Sequence, residues 1–172
     1  MLDIDAAPGS WTAFLHDQLG PGTRVVAVDP AALSPEVLAR PGVAHVRACV
    51  SAADPQGMAL IASAIATDGD GAAGGAEASG AGMAALVVCD MNCRPRQCAM
   101  CIVELAEAGL LQRGCCVVMT LKMHRRAARH RKAMEQEALG ALSAAFSHVR
   151  VDWLFANTQF EATITCVWDC EL

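Results

Sequence analysis

Three ionisable residues adjoin apolar runs that are far apart in the sequence, and together their side chains could move a proton. They are Asp90 after Ala84–Cys89, Lys122 after Cys115–Leu121, and Glu161 before Ala162–Trp168. A neutral lysine amine can accept a proton, and neighbouring carboxylates can orient it. Each residue alone is typical of a solvated strand end. All three in one place predict a functional site.

The apolar runs alternate with helical patterns, which predicts an α/β fold. The predicted strands are Leu2–Ile4, Arg24–Val28, Val43–Cys49, Ala84–Cys89, Cys115–Leu121, His148–Leu154 and Ala162–Trp168. The predicted helices are one that opens at Ser10, Ser34–Arg40 with Ser34 as N-cap, Gly57–Ala66, Arg96–Leu111 closed by Gly114, and Arg125–Phe146. We expect a mostly parallel, seven-stranded sheet with helices on both faces and an antiparallel last strand.

This strand order places the three ionisable residues at one edge of the sheet. Ligands of open α/β sheets bind at the C-terminal ends of the parallel strands, where Asp90 and Lys122 are expected. The last strand forms a hairpin with the one before it, across Asn157 and Thr158, and therefore runs backwards. Its first residue, Glu161, is predicted at the same edge.

The segment Met1–Trp11, MLDIDAAPGSW, is predicted to supply a ligand loop at that edge. A short strand that passes through a Gly turn into a helix is the first unit of a nucleotide-binding sheet, although an ordinary strand–turn–helix is the alternative. Small residues let a ligand approach the backbone, and the helix N-terminus presents N–H groups to its anionic parts. Asp29 follows Gly9 by 20 residues, where an acidic side chain accepts hydrogen bonds from ribose hydroxyls. The segment contains no GxGxxG, so a dinucleotide is not the expected ligand.

The string AAPGSW, followed by VVAVDP, resembles the S-adenosylmethionine site of FtsJ-like RNA ribose 2′-O-methyltransferases, whose motif reads DLGAAPGSW. The later segments VVCDMNCRP and LKM resemble the RlmM-like branch in particular. The resemblance extends from Leu2 to Trp168 and implies the Rossmann-like methyltransferase fold. It also implies S-adenosylmethionine as cofactor and RNA, in particular ribosomal RNA, as substrate, with neither DNA nor a membrane as partner.

The resemblance assigns roles to the residues at matching positions. Asp90, Lys122 and Glu161 match the last three members of the family's Lys-Asp-Lys-Glu catalytic set, with Lys122 as the base for the ribose hydroxyl. Methyl displacement needs oxygen, carbon and sulfur in line, so positioning should supply much of the rate. The implied cofactor-binding residues are Asp3, Ala6, Ala7, Pro8, Gly9, Ser10, Trp11, Asp29, Pro30 and Asp90.

The segment Lys122–Lys132, KMHRRAARHRK, holds six of the thirteen Lys and Arg residues. This density predicts contacts with RNA phosphates, although such a run is usually a solvated helix face. The predicted RNA-binding residues are Arg125, Arg126, Arg129 and Arg131. The side chains available for stacking on bases are Trp11, Trp153 and Phe155.

A chain of 172 residues is expected to form one domain over residues 1–172 and to bury a core. No apolar run approaches a membrane span and no signal peptide precedes the first strand, so we expect an intracellular, cytoplasmic protein, with an organelle or the nucleolus as the alternatives. The net charge of −5 argues against a surface that coats nucleic acid as a whole. The Gly- and Ala-rich segment Asp68–Gly82 is expected to be a flexible surface insertion.

Nine cysteines in a chain without an export signal are expected to be reduced and mostly buried. Cys93, Cys98 and Cys101 suggest a zinc site, but Cys98 and Cys101 lie inside a predicted helix. No second CxxC or well-spaced histidine completes four ligands, so no metal is predicted.

Two positions depart from the family pattern. Asp5 stands where the family has glycine, and Cys49 stands where an acidic residue commonly holds the adenine. The family's first catalytic lysine lies upstream of the first strand, so the sequence is expected to be N-terminally truncated relative to the family. Two alternatives stay open: a catalytically impaired methyltransferase-fold module that binds RNA or protein, and a Rossmann-like enzyme that uses another nucleotide.

Overall fold

The computed structural model describes residues 1–20, 22–66, 82–123, 128–155 and 157–169. Its strands are β1 (Leu2–Ile4), β2 (Val25–Val28), β3 (Val43–Val46), β4 (Ala84–Cys89), β5 (Leu111–Lys122), β6 (Ser147–Asp152) and β7 (Glu161–Trp168). Its helices are α1 (Ser10–Leu19), α2 (Pro35–Leu38), α3 (Pro55–Ala66), α4 (Pro95–Glu107) and α5 (Ala128–Leu142). The strands form a seven-stranded, mostly parallel sheet in the order β3-β2-β1-β4-β5-β7-β6, and β7 runs antiparallel to both of its neighbours. The predicted α/β class is confirmed.

The chain divides into two compact units, Met1–Ala84 and Ala85–Leu172. In the first unit, β2 lies between β1 and β3 and is parallel to both, with Leu2 opposite Val26. Every residue of β2 is buried, as expected of a central parallel strand that helices cover. The first unit therefore has its core along β2.

The helix α1 in the first unit buries a polar face. The apolar side chains of Trp11 and Phe14 are about half exposed, at 47% and 54%, whereas Thr12 and His16 are buried. Thr12 Oγ1 donates a hydrogen bond to Asp3 Oδ2 at 2.5 Å, and His16 Nε2 lies 2.8 Å from a backbone carbonyl oxygen. Buried polar side chains are stable where they find such partners. The apolar spacing therefore predicted the helix correctly, but it did not identify the buried face.

In the second unit, a long antiparallel ladder joins β5 to β7. Its pairs extend from Cys115 opposite Trp168 to Lys122 opposite Glu161, and β6 pairs with the other side of β7. The helices α4 and α5 pack against each other. The predicted terminal hairpin is confirmed, and its register decides which residues meet at the end of the ladder.

The predicted end of the fourth helix, Arg96–Leu111 closed by Gly114, is wrong. The helix α4 ends at Glu107, where two backbone hydrogen bonds around Gly109 form a Schellman closure. Gly109 has a φ of 69°, which a glycine adopts without a steric penalty. Leu111 consequently begins β5, and Gly114 lies within that strand.

Other boundaries also differ from the sequence pattern. The strand β3 ends at Val46 rather than at Cys49, because the N–H of Ala48 donates to the Val46 carbonyl and closes a tight turn. The helix α5 ends at Leu142, before the predicted end at Phe146. The first three residues of that predicted helix lie outside the described residues.

The predicted insertion Asp68–Gly82 also lies outside the described residues, except for Gly82. Within the part of the chain that the structure describes, no helix is long and apolar enough to cross a membrane.

Candidate active site

The side chains of Asp90, Lys122 and Glu161 form one hydrogen-bonded cluster in the second unit. Lys122 Nζ lies 2.8 Å from Asp90 Oδ1 and 3.0 Å from Glu161 Oε1. The lysine side chain is 18% exposed, and the carboxylates are 38% and 21% exposed. The cluster is therefore sheltered from solvent but still open to a ligand.

Strand order and register bring these residues together. Lys122 is the last residue of β5 and lies opposite Glu161, the first residue of β7. Asp90 directly follows β4, which neighbours β5 in the sheet. Adjacent strands are about 4.8 Å apart, so side chains at their aligned ends are within reach of one another.

A backbone turn holds the Glu161 carboxylate in place. The N–H of Thr158 donates to Glu161 Oε2 at 3.0 Å, and the N–H of Glu161 donates to the Thr158 carbonyl at 3.1 Å. This backbone hydrogen bond, followed by the hydrogen bond from Lys122, lowers the pKa of Glu161. Sequence reasoning located the turn at Thr158 from its residue types but missed its contact with the site.

Lys122 carries a proton in this arrangement. Burial, the largest single influence, lowers the pKa of Lys122, but the hydrogen bonds and charges of Asp90 and Glu161 together outweigh it and raise the pKa. The side chain is therefore an ammonium at neutral pH. It must lose that proton before it can act as a base.

The ligand-loop candidate lies in the first unit, where Gly9 precedes α1. Gly9 has a φ of 112°, and a Cβ built there would lie 2.9 Å from a methyl carbon of Val37. Both observations require glycine at this position. The residue before α1 is Gly9, which has no side chain to cap the first turn, so an anion can approach the backbone N–H groups of Ser10 and Trp11 from this side.

Asp29 stabilises this loop through hydrogen bonds from backbone N–H groups. Its side chain is buried, Oδ2 accepts a hydrogen bond from the Ala7 N–H at 2.9 Å, and Oδ1 accepts one from the Ala31 N–H at 2.7 Å. Each carboxylate oxygen has a second lone pair, so these bonds leave room for a ligand hydroxyl. Pro30, beside it, is exposed.

The remaining predicted loop residues have structural partners. Ala6 is buried in a small apolar cluster with Ala27 and Val37. Pro8 is exposed, and its carbonyl accepts the N–H of Ser34 at 2.9 Å. Packing of Ala6 and hydrogen bonds of Ala7 and Pro8 therefore hold this part of the loop in place.

Asp3 is buried against Thr12, a pairing that sequence reasoning missed. The signal for it was a threonine in the first turn of a helix that follows a strand containing an aspartate.

Asp5 occupies the position where the resembled family has glycine. Its φ of 65° is in the left-handed region, which glycine adopts freely and aspartate tolerates better than most residues. The backbone geometry at this position suits glycine, and this chain places there one of the few other residue types that tolerate it. Cys49 is exposed beyond the end of β3.

Comparisons with known proteins identify the fold. No protein-family model matches the sequence, and no curated protein matches it significantly. Methanococcus jannaschii fibrillarin, described as a pre-rRNA processing protein, matches with a TM-score of 0.66 and 14% identity, over 99% of this chain and 66% of its own length. Aeropyrum pernix fibrillarin, solved with natively bound S-adenosyl-L-methionine, matches with a TM-score of 0.59 and 15% identity, over 96% of this chain and 65% of its own length. The N-methyltransferase NodS from Bradyrhizobium japonicum WM9 matches with a TM-score of 0.53 and 13% identity, over 98% of this chain and 84% of its own length.

The chain has the Rossmann-like methyltransferase fold. It spans slightly less than two thirds of the length of each of the two fibrillarins. The similar structures include both an rRNA-processing protein and an N-methyltransferase. The likeness therefore establishes the fold, and the choice of methyl acceptor has to be argued from the site.

The predicted RNA-binding arginines lie in and before α5. Arg129 is exposed, and the guanidinium carbon of Arg131 lies 5.6 Å from the centre of the Phe160 ring, within the range of a cation–π contact. Arg125 and Arg126 lie outside the described residues. On this methyltransferase fold, the predicted role of these four arginines in RNA binding stays a prediction.

The cysteines behave as small apolar or surface groups. Cys98 Sγ lies 3.3 Å from Cys89 Sγ, and both thiols are buried. Their hydrogen bond, with burial, raises the pKa of the Cys98 thiol, which stays protonated. Among the described residues, no group of three histidine, cysteine or acidic side chains is arranged to hold a metal. Four of the eight described cysteines are buried.

The predicted stacking side chains are exposed. Trp11 belongs to the first unit, whereas Trp153 and Phe155 lie in the connection between β6 and β7. Leu154 beside them donates its N–H to Asn157 Oδ1 at 2.7 Å. This hydrogen bond orders the connection that also carries Thr158 to the Glu161 carboxylate.

Proposed function

We propose that this chain transfers a methyl group from S-adenosylmethionine to a ribose 2′-hydroxyl of RNA. The observation that carries the proposal is the cluster in which Lys122 lies between Asp90 and Glu161. Two similar structures favour the same cofactor and substrate class. One was solved with natively bound S-adenosyl-L-methionine, and the other is described as a pre-rRNA processing protein.

The residues of the first unit fit S-adenosylmethionine. The N-terminus of α1, preceded by Gly9, offers backbone N–H groups to the carboxylate of the methionine part. Asp29 retains lone pairs for the ribose hydroxyls, and glycine at position 9 keeps the loop free of a side chain. When bound, S-adenosylmethionine supplies a methyl group on a positively charged sulfur. The residues of this unit that we assign to its binding are Asp3, Ala6–Trp11, Asp29 and Pro30.

The side chains of the cluster have distinct roles in activating the ribose hydroxyl. A ribose hydroxyl is a very weak acid, so its oxygen must be relieved of a proton to become a nucleophile. Neutral Lys122 accepts that proton, while Asp90 and Glu161 hold the amine in one orientation. The same carboxylates raise the pKa of Lys122, so the neutral fraction is small at neutral pH and increases in alkali.

The raised pKa of Lys122 also favours a second candidate. A lysine held as an ammonium between two carboxylates keeps one N–H, which can donate to a ribose hydroxyl oxygen of RNA without taking its proton. The chain would then be a methyltransferase-fold module that binds RNA but turns over poorly. Turnover at alkaline pH separates the two candidates, because only the catalytic one gains activity as Lys122 deprotonates.

The test is transfer of tritiated methyl groups from S-adenosylmethionine to a ribosomal RNA fragment, followed by digestion to nucleosides. We expect the label in 2′-O-methylated nucleosides, and we expect Lys122→Arg to abolish it because a guanidinium keeps its proton. Lys132→Arg, on the exposed side of α5, is the matched control and should retain activity.

The position of the label decides between the alternatives. Label on the bases would overturn the ribose assignment while keeping the methyltransferase activity. Cofactor binding by calorimetry without any label in RNA, even in alkali, would favour the binding module. Binding of neither S-adenosylmethionine nor RNA would overturn both candidates.

A further inference from the structure

A cavity of about 780 Å³ opens beside the start of α4 in the second unit. Arg94, Arg96 and Gln97 line one side, and His130 and Glu137 line the other. No part of the cluster around Lys122 lines this cavity, so it is a separate feature of the molecule.

Two packed helices build the cavity. Arg94 is the N-cap of α4, and residues 95 to 97 form its first turn. The wall from α5 consists of residues 130, 133, 134 and 137, a spacing that places them on one face of the helix. Because α4 and α5 pack against each other, the cleft between them has fixed walls.

The lining carries an excess of positive charge. Among the described lining residues, Arg94 and Arg96 bring two guanidinium groups and His130 brings an imidazole, against the single carboxylate of Glu137. Among the described residues, neither arginine forms an ion pair with a carboxylate. Guanidinium groups without internal partners are suited to bidentate binding of phosphate oxygens.

The cleft lies close along the chain to the candidate catalytic cluster. Arg94 follows Asp90 by four residues, and four fully extended residues span at most about 14 Å. A polymer whose ribose contacts the cluster therefore needs only a few nucleotides to reach Arg94. A small free anion would gain nothing from this proximity, whereas an RNA strand would.

We propose that the cleft between α4 and α5 binds backbone phosphates of the RNA substrate, a few nucleotides from the methylated ribose. This proposal rests on the proposed function for its substrate class. It assigns phosphate binding to Arg94 and Arg96, which lie outside the basic segment Lys122–Lys132. His130 belongs both to the basic segment Lys122–Lys132 and to the lining of the cleft, so the two positive surfaces are adjacent along α5.

The test compares three variants of the full chain in binding to a single-stranded ribosomal RNA fragment over a range of salt concentrations. The Arg94→Gln/Arg96→Gln variant removes both charges, and Arg94→Lys/Arg96→Lys keeps them. Arg47→Gln/Arg150→Gln removes the same charge from exposed positions elsewhere. Affinity for S-adenosylmethionine and the thermal midpoint of each variant verify that it is folded.

We expect the glutamine pair at the cleft to lower the salt slope of binding by about 1.4, the loss of two phosphate contacts on a single strand, and to weaken binding about tenfold at physiological salt. The lysine pair should keep the slope, and the control pair should bind like the unmodified chain. With active protein, the KM for RNA should increase while kcat stays the same.

An unchanged slope in the folded glutamine variant would overturn the proposal and assign the cleft to solvent or to an acidic protein partner. An equal loss in the control variant would also overturn it, because the effect would then be one of net charge. Absence of methyl transfer by the unmodified chain would contradict the proposed function without affecting the binding measurement.

Discussion

Lys122 and Glu161 are separated by 39 residues along the chain, yet they form the last pair of the β5–β7 ladder, and Lys122 Nζ donates to Glu161 Oε1 at 3.0 Å. Side chains alternate between the two faces of a strand, so a register shift of one residue would turn Glu161 away from the lysine. The antiparallel register therefore supplies one of the two carboxylates, after that of Asp90, that raise the pKa of Lys122.

The rate of methyl transfer should increase with pH from neutrality to the alkaline limit of RNA stability. Below the raised pKa of Lys122, the neutral fraction of its amine grows about tenfold per pH unit. Initial rates at saturating cofactor and RNA measure this directly. A plateau near neutral pH would show that a group other than Lys122 accepts the proton.

The pair of Lys122 and Glu161 should stabilise the fold at neutral pH. A double-mutant cycle with Lys122→Met and Glu161→Gln should give a coupling of about 0.5–3 kcal/mol in urea unfolding. The lowered pKa of Glu161 means that its contribution is present above the ordinary glutamate pKa and is lost as the pH falls through the lowered value. The raised pKa of Lys122 means that its contribution is lost only as the pH rises through that value.

Arg150 and Asp152 provide the control cycle, because their charged atoms are 3.6 Å apart and both side chains are exposed. Such a surface pair should couple by about 0–0.5 kcal/mol. Equal coupling in the two cycles, or a coupling between Lys122 and Glu161 that persists in strong acid, would contradict the assignment.

Asp29→Asn should destabilise the loop and weaken cofactor binding together. Asparagine offers one oxygen where the Ala7 and Ala31 N–H groups now find two, so one part-buried donor loses its charged partner at a cost of about 1–3 kcal/mol. Asp54→Asn is the matched control, because Asp54 Oδ1 accepts the N–H of Gly57 in the same unit. Thermal unfolding and calorimetry with S-adenosylmethionine measure both effects. Unchanged affinity in Asp29→Asn would remove Asp29 from the cofactor site.

Gly9→Ala should cost more stability than Gly109→Ala, although both glycines have a positive φ. The left-handed backbone costs an alanine about 1–2 kcal/mol at either position. Only at Gly9 does the new methyl group also meet Val37, while nothing lies within 4 Å at Gly109. Urea unfolding of the two variants, and of Gly9→Ala combined with Val37→Ala, separates the backbone cost from the steric cost. Equal losses at Gly9 and Gly109 would show that the Val37 side chain moves aside without a measurable cost.

Trp153→Ala should weaken binding to single-stranded RNA by about 1–3 kcal/mol if its ring stacks on a base. Leu154→Ala is the control, since Leu154 is next to it and equally exposed but has no aromatic face. Binding titrations with a single-stranded RNA and with a duplex of the same sequence measure the effect. Equal losses in the two variants, or a loss for duplex as large as for single strand, would assign the tryptophan to a general surface role.

The local sequence of this protein determined the secondary-structure elements and several of the turns between them. Periodicity and glycine placement predicted the strand, turn and helix around Gly9, and the antiparallel last strand predicted Glu161 at the same edge as Lys122. These features depend on residues within a few positions of one another, or on topological rules that hold across α/β sheets. The resemblance of AAPGSW to one family then suggested a cofactor for that loop.

Only the tertiary structure decided the chemical state of the site. Proximity to two carboxylates raises the pKa of Lys122. Backbone N–H groups of the loop occupy one lone pair on each oxygen of Asp29. Thr12, which is hydrogen-bonded to Asp3, is buried, whereas the apolar side chains of Trp11 and Phe14 on the same helix are half exposed. Each outcome depends on distances between atoms in the folded chain. For Lys122 with Glu161 and for Ala7 with Asp29, the two groups are 39 and 22 residues apart in the sequence. Electrostatic and hydrogen-bond energies vary steeply with such distances, and a linear pattern of residue types does not contain them.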